Sequence, residues 1–206
     1  ADAAGVLILP ASETLIVSDL HFEKGSAYAA RGQLIPPYDT RSTLRRLAER
    51  IADYRPQRVI ALGDSFHDLG ADGRMDDADA GALQALVASV ADWVWIEGNH
   101  DPAPPPRFGG TIMHELNIDA LTLRHLPAES AAPGEIAGHL HPCARVRGKG
   151  RAVRARCFAT NGTRLVMPAF GAFAGGLNVC DAAYDRCFGA TPDALIMGAD
   201  TVYPVA

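Results

Sequence analysis

Seven histidines punctuate this 206-residue chain: His21, His67, His100, His114, His125, His139 and His141. Most of them follow a short apolar run. LIVSDLH carries Asp19 and His21, VIALGD carries Asp64, and WIEGNH carries Asn99 and His100. LTLRH carries His125, and EIAGHLH carries His139 and His141. Imidazole nitrogens mixed with carboxylate and amide oxygens suit manganese, iron or zinc rather than a thiolate-seeking ion. Residues two apart in an extended segment point to the same side, so Asp19 with His21, and His139 with His141, are each expected to act as a donor pair. Two divalent ions about 3.5–4 Å apart need a bridging anion to damp their repulsion, and Asp64 on the tight turn after Gly63 is the natural bridge. Asp19 and Asp64 would cancel two of the four positive charges, and the remainder would attract a phosphate ester.

The elements that must position these donors are legible as alternating strands and helices. Val6–Leu9 and Leu15–Val17 read as strands around a turn at residues 11–13. After Pro36–Pro37, Asp39 or Thr40 is the expected N-cap of a helix whose Leu44, Leu47, Ile51 and Tyr54 recur at helical spacing. Val59–Leu62 reads as a buried strand ended by Gly63, and Asp76–Ala91 as a helix with Leu83, Leu86, Val87 and Val90 on one face. Val94–Ile96 is a third buried strand, halted by the proline-rich DPAPPP. From about Leu121 onward short strands dominate, and Asn161–Gly162 signals a hairpin. Loops at strand ends are where α/β sheets build ligand sites, so several strands would deliver donors to one edge. With no internal repeat, low-complexity tract or linker, residues 1–206 read as one domain.

A chain of 21.8 kDa can bury a full core without disulfides or a structural metal. Hydrophobic residues at 48% and charged residues at 21% fit an ordinary soluble globular protein. The net charge of −5 does not by itself point to nucleic acid. Charge is nevertheless uneven. Arg145, Arg147, Lys149, Arg151, Arg154 and Arg156 follow His141 with no acid among them, leaving 13 Lys and Arg against 24 Asp and Glu elsewhere. A basic hairpin beside the donors favours a polyanion through counterion release, with Arg145, Arg147, Lys149 and Arg151 as candidate contacts. A solvated hairpin with charged outer faces is the alternative. Arg124, next to His125, is a further candidate, with Lys24 and Arg31 on a loop after the first donor pair. Trp93, Trp95, Phe170 and Phe173 suit core packing, the two phenylalanines also a site rim. The four cysteines have no metal-binding spacing and are expected to be reduced and mostly buried. No apolar run approaches the ~18 residues of a membrane span, and ADAAGVLILP lacks the features of an export signal, so a cytoplasmic location is expected.

Taken in order, D-x-H (Asp19, His21), G-D (Gly63, Asp64), G-N-H-D (Gly98–Asp101), the lone His125 and G-H-x-H (Gly138–His141) resemble the calcineurin-like metallophosphoesterases. The resemblance implies a four-layer α/β/β/α sandwich, two mixed β-sheets flanked by helices, with a dimetal site at the strand ends. It assigns Asp19, His21, Asp64 and His141 to one ion, and Asp64, Asn99, His125 and His139 to the second. His100 would protonate the leaving oxygen or stabilise developing charge, while a hydroxide bridging the ions attacks phosphorus in line. The run G-D-x-F-H at residues 63–67 is similar to recombination-repair nucleases, in which that histidine helps position the DNA strand. This makes His67 a second catalytic candidate; the plainer reading is a histidine that orients a ligand.

Longer stretches, including SDLHFEKGSAYAARGQLIPPYDTRSTL, LGDSFHD and PAFGAFAGGL, look like the DNA-ligase-associated metallophosphoesterases of bacteria. That likeness implies a phosphodiesterase or endonuclease acting on DNA, two divalent ions with manganese as activator, and a functional association with a DNA ligase and a helicase in damage response. A small-molecule phosphodiesterase or a phosphatase of the same superfamily is the alternative. A non-enzymatic scaffold ranks last, because His100 is present.

Overall fold

The computed structural model describes residues 1–130, 132–148 and 150–205. Strands β1 (Leu7–Leu9), β2 (Thr14–Val17), β3 (Arg58–Leu62), β4 (Asp92–Ile96) and β5 (Thr111–Met113) lie in that order in one sheet. β1 runs antiparallel to β2, and the remaining pairs are parallel. The connections carry helices α1 (Lys24–Ala29), α2 (Asp39–Tyr54), α3 (Ala71–Arg74) and α4 (Asp77–Ala88). Because β2, β3 and β4 point the same way, the loops leaving them open on one edge.

Alternation along these strands feeds two cores. Leu15, Val17, Val59, Ala61, Trp93 and Trp95 pack with Leu44, Leu47 and Ile51 of α2 and Leu83 and Val87 of α4. Their neighbours Ile16, Ile60, Leu62, Val94 and Ile96 face the other way, onto Leu123, Ile136 and Phe158. A sheet covered on both faces needs apolar residues at every position, which is why these strands read as unbroken hydrophobic runs.

The second sheet supplies the far side of that inner core. It is built from β6 (Glu115–Ile118), β7 (Leu121–Arg124), β8 (Glu135–Ala137), β9 (Pro142–Gly148), β10 (Arg151–Thr160), β11 (Leu165–Val166), β12 (Leu177–Asn178), β13 (Asp193–Met197) and β14 (Val202–Val205). The order is β12-β9-β10-β11-β8-β7-β6, with β13 beside β10 and β14 beside β13. β7 and β8 are parallel, whereas β9 and β10 form the antiparallel hairpin expected for the basic stretch. On the outer face Cys157, Ala159, Val166, Ala194 and Ile196 pack with Tyr184 of α5 (Ala182–Phe188). The layers are therefore helix, sheet, sheet, helix: two mixed sheets flanked by helices.

Local details correct the reading of the sequence. Tyr38 stands at the N-cap of α2, without a side-chain bond. The expected caps turn elsewhere: Asp39 Oδ2 accepts from the Gly25 amide at 2.9 Å, and Thr40 Oγ1 accepts from the Glu23 amide and donates to Glu23 Oε1, both at 2.8 Å. They hold the segment that follows His21. Lys24 opens a helix instead of lying on a loop. Asp76 does cap α4, accepting from the Asp79 amide at 2.7 Å. Asn161 makes the expected turn between β10 and β11, its Oδ1 accepting from the Thr163 and Arg164 amides. Cys143, Cys157 and Cys187 are free and buried, and Cys180 is free and exposed. Among the described residues no helix is long and apolar enough to cross a membrane.

Candidate metal centre

Asp19 and His21 leave β2, Asp64 leaves β3, Asn99 and His100 leave β4, His125 leaves β7, and His139 and His141 leave β8. The loops are zipped together by backbone bonds, with His21 N–H to Asp64 O at 2.9 Å, Phe22 N–H to Ser65 O at 2.8 Å and His67 N–H to Phe22 O at 2.9 Å. Gly138 N–H donates to His125 O at 3.0 Å and joins the two donor loops that leave the second sheet. The donor segments are not extended. Asp19, His21, Asp64, His139 and His141 all adopt left-handed backbone, with φ of 53°, 46°, 47°, 69° and 47°. Each such residue costs on the order of 1–2 kcal/mol, so the strain sits in the turns that aim the donors. Sharp turns, and not the pleat of a strand, bring Asp19 near His21; they also send His139 and His141 to different partners.

Two groups form, each with donor atoms within 4.8 Å of one another: Asp19, His21 and His141, and Asp64, His125 and His139. In the first, His21 Nε2 lies 3.3 Å from His141 Nε2, which is 2.9 Å from Asp19 Oδ1. Asp19 Oδ2 is held by Ser18 Oγ at 2.5 Å and the His139 amide at 3.1 Å, while buried Oδ1 makes no hydrogen bond. In the second, His125 Nδ1 donates to Leu62 O at 3.0 Å, turning Nε2 toward Asn99 Oδ1 at 3.0 Å and Asp64 Oδ2 at 3.4 Å. A carbonyl only accepts, so it fixes the ring with a lone pair on Nε2 in the neutral form. Carboxylate, amide and imidazole atoms thus converge at two points, and this donor set fits divalent cations.

The electrostatics agree. Burial alone would raise Asp19 and Asp64, but the histidines around them hold Asp19 below the ordinary carboxylate value and Asp64 down to about 2. Burial pushes His21 down to about 3. Burial opposes the charge on His125 as well, yet Asp64 and Asp19 outweigh it and raise that ring to about 9. Close approach needs glycine at several points, among them Gly98 and Gly138. A Cβ at Gly98 would lie 2.2 Å from the Asp64 amide nitrogen, and one at Gly138 would lie 2.1 Å from Ser18 Oγ.

His100 stands apart from both groups. Its amide donates to Asp64 Oδ1 at 2.9 Å, and its Nδ1 donates to His67 O at 2.8 Å. That leaves Nε2 free, 3.9 Å from Asp64 Oδ2, on a side chain that is 43% exposed. The His67 ring stacks on His100, with centroids 5.4 Å apart and planes at 21°, and meets the edge of His21 at 5.5 Å. Asp101, the last residue of G-N-H-D, had no role assigned from sequence. It is 2% exposed, accepts from the Phe66 amide at 3.0 Å, and is raised to about 7 by burial and the nearby Asp64.

The cations divide. Opposite residues of an antiparallel pair share a face. Register therefore places Arg145, Arg147, Arg154 and Arg156 on one side of the hairpin and Arg151 on the other, beside 61%-exposed Val153. Arg156 is not a free charge: it donates to the carbonyls of Ala169 at 3.0 Å, Gly171 at 2.8 Å and Ala174 at 3.2 Å. Arg46 joins it on Phe170 O at 3.0 Å, its guanidinium 4.4 Å above the Phe170 ring. That loop returns amides to Ser18 O and Asp19 O at 2.8 and 3.0 Å, so both arginines brace the Asp19 turn. Arg154 is drawn to Cys143 Sγ and Gly176 O. Arg145, Arg147 and Arg151 are exposed, and Lys149 lies outside the described residues. Arg124 pairs with Glu115, its Nε 3.9 Å from Glu135. Exposed His114 meets Glu97 at 3.2 Å, and Trp93, Trp95 and Phe170 are core residues.

Two mixed sheets between helices thus gather at their strand ends nitrogen and oxygen donors able to hold two metal ions. The family model for calcineurin-like phosphoesterase matches residues 13–153, and the chain belongs to that family. Over 98% of its length it is 27% identical to the crystal structure of Pseudomonas putida nuclease MPE, covering 92% of that chain with a TM-score of 0.76. YfcE, a phosphoesterase from E. coli, aligns at 15% identity over 94% of this chain and 98% of its own, with a TM-score of 0.47. No curated protein matches the sequence.

Proposed function

We propose that residues 1–206 act as one metallophosphoesterase domain that hydrolyses phosphodiesters in nucleic acid, with single-stranded or damaged DNA as substrate. The observation that carries this reading is the likeness over nearly the whole chain to a solved nuclease. In the proposal Asp19, His21, Asp64 and His141 hold one divalent ion, and Asp64, Asn99, His125 and His139 a second. Manganese suits these mixed nitrogen and oxygen donors. Bound ions would supply Lewis-acid stabilisation of charge on the phosphoryl group.

The remaining work falls to the chain itself. His100 holds a proton at Nε2 and delivers it to the departing oxygen; the His67 carbonyl on Nδ1 keeps the ring turned to do so. The His67 ring packs against His100 and limits its rotation. Arg145, Arg147 and Lys149 are assigned to the phosphate backbone, with Arg124 as a further contact, whereas Arg151 lies on the reverse face of the hairpin. The sequence resemblance extends the proposal to a cytoplasmic setting and to association with a DNA ligase and a helicase.

The test is a comparison of substrates by protein stripped of metal and resupplied with Mn²⁺. Bis-p-nitrophenyl phosphate and single-stranded DNA are expected to turn over faster than duplex DNA and the p-nitrophenyl monoester. Turnover of the monoester alone would overturn the nuclease reading in favour of a phosphatase.

A further inference from the structure

A row of rings runs from helix α1 to the metal centre. Tyr28, half-buried on α1, lies 6.0 Å from His67 with its plane tilted by 38°, and His67 in turn stacks on His100. His67 is only 9% exposed, so the ring of the row left open to a ligand is that of Tyr28. The row is held rigidly. Gly25 N–H is fixed by Asp39 at 2.9 Å, and Arg74 bridges Ser26 Oγ at 3.0 Å to Asp68 Oδ1 at 2.6 Å, tying α1 to the residue after His67. A pre-set π face close to the two donor groups suits a planar group attached to a phosphate. Stacking of this kind accepts any base, because every base has a π face.

We propose that Tyr28 is a specificity-determining residue whose ring, packed on His67, stacks the nucleobase next to the scissile diester. The inference deepens the nucleic-acid reading of the same site and rests on it. It predicts a preference for diesters over monoesters, since only a diester carries a second organic group to reach α1.

The test is equilibrium binding of a fluorescein-labelled oligothymidylate, followed by anisotropy in chelator so that cleavage does not intrude. Tyr28→Ala is expected to weaken binding roughly tenfold, the scale of one lost base stack, with Tyr28→Phe within twofold of wild type. An oligonucleotide of equal length with all bases removed is expected to bind wild type and Tyr28→Ala alike. Equal affinity of Tyr28→Ala and wild type for the oligothymidylate would overturn the proposal, as would an equal loss on the abasic strand. If both hold the oligothymidylate equally but wild type still cleaves diesters, the subsite alone fails. If wild type turns over no diester, the nucleic-acid reading fails, and the subsite with it.

Discussion

His100 uses its two ring nitrogens differently. Nδ1 is committed to the His67 carbonyl at 2.8 Å, and Nε2 faces the site. Its removal should therefore cost proton transfer without disturbing the donors. His100→Ala is expected to lower diester turnover by roughly 10²–10⁴-fold while metal content stays unchanged. The loss should shrink for p-nitrophenolate, a leaving group that needs no proton. Undiminished hydrolysis of a DNA diester by this variant would remove His100 from the chemistry. His125 gives a prediction on pH. Asp64 and Asp19 raise it to about 9 against the effect of burial, so in the stripped protein an ion must displace its proton. Proton and metal compete, and the apparent Mn²⁺ affinity should rise by up to roughly tenfold per pH unit toward about 9, then level off. Calorimetric titration at several pH values checks this; an affinity independent of pH between 6 and 8 would contradict it.

At the scale of elements, the site depends on turns that strand and helix patterns do not encode. The histidines and carboxylates were legible because their types and spacing are rare at strand ends, and the alternating strands were legible because burial on both faces leaves continuous apolar runs. Three things were hidden. The left-handed backbone at Asp19, His21, Asp64, His139 and His141 is not marked by glycine, its usual sign. Asp39 and Thr40 have the chemistry of helix caps, and only tertiary contact shows them holding Gly25 and Glu23. Arg156 counts as one more base in a charge run, because a sequence shows charges and not the carbonyls that gather around them. Since Arg156 braces the loop that in turn bonds Asp19, Arg156→Ala is expected to destabilise the fold by about 2–3 kcal/mol, the scale of charged hydrogen bonds, and to weaken metal binding. A chemical denaturation midpoint equal to wild type would refute that role. Gly171→Ala tests the same junction, because its Cβ would lie 2.3 Å from Leu20 O. Overpacking against backbone is expected to cost about 1–3 kcal/mol in the same measurement.

On the scale of the whole molecule, a chain of net charge −5 carries a basic hairpin whose first strand begins just after His141. Register makes the patch narrower than its composition suggests, with Arg145 and Arg147 together and Arg151 on the reverse face. If DNA lies on the former face, replacing Arg145 and Arg147 by Gln should flatten the salt dependence of single-strand binding by roughly 1.4 in log–log slope, whereas Arg151→Gln should leave it unchanged. Equal effects of all three would point to diffuse attraction. The central claim is that the two donor groups gathered at the strand ends each hold an ion and together hydrolyse a phosphodiester. Its most direct test follows diester turnover and bound Mn²⁺ on one stripped sample as metal is added back. Turnover is expected to saturate at two ions per chain, with Asp19→Ala or Asn99→Ala abolishing most of it. Two ions bound with no hydrolysis of any diester, or full activity with the donors of either group removed, would contradict it.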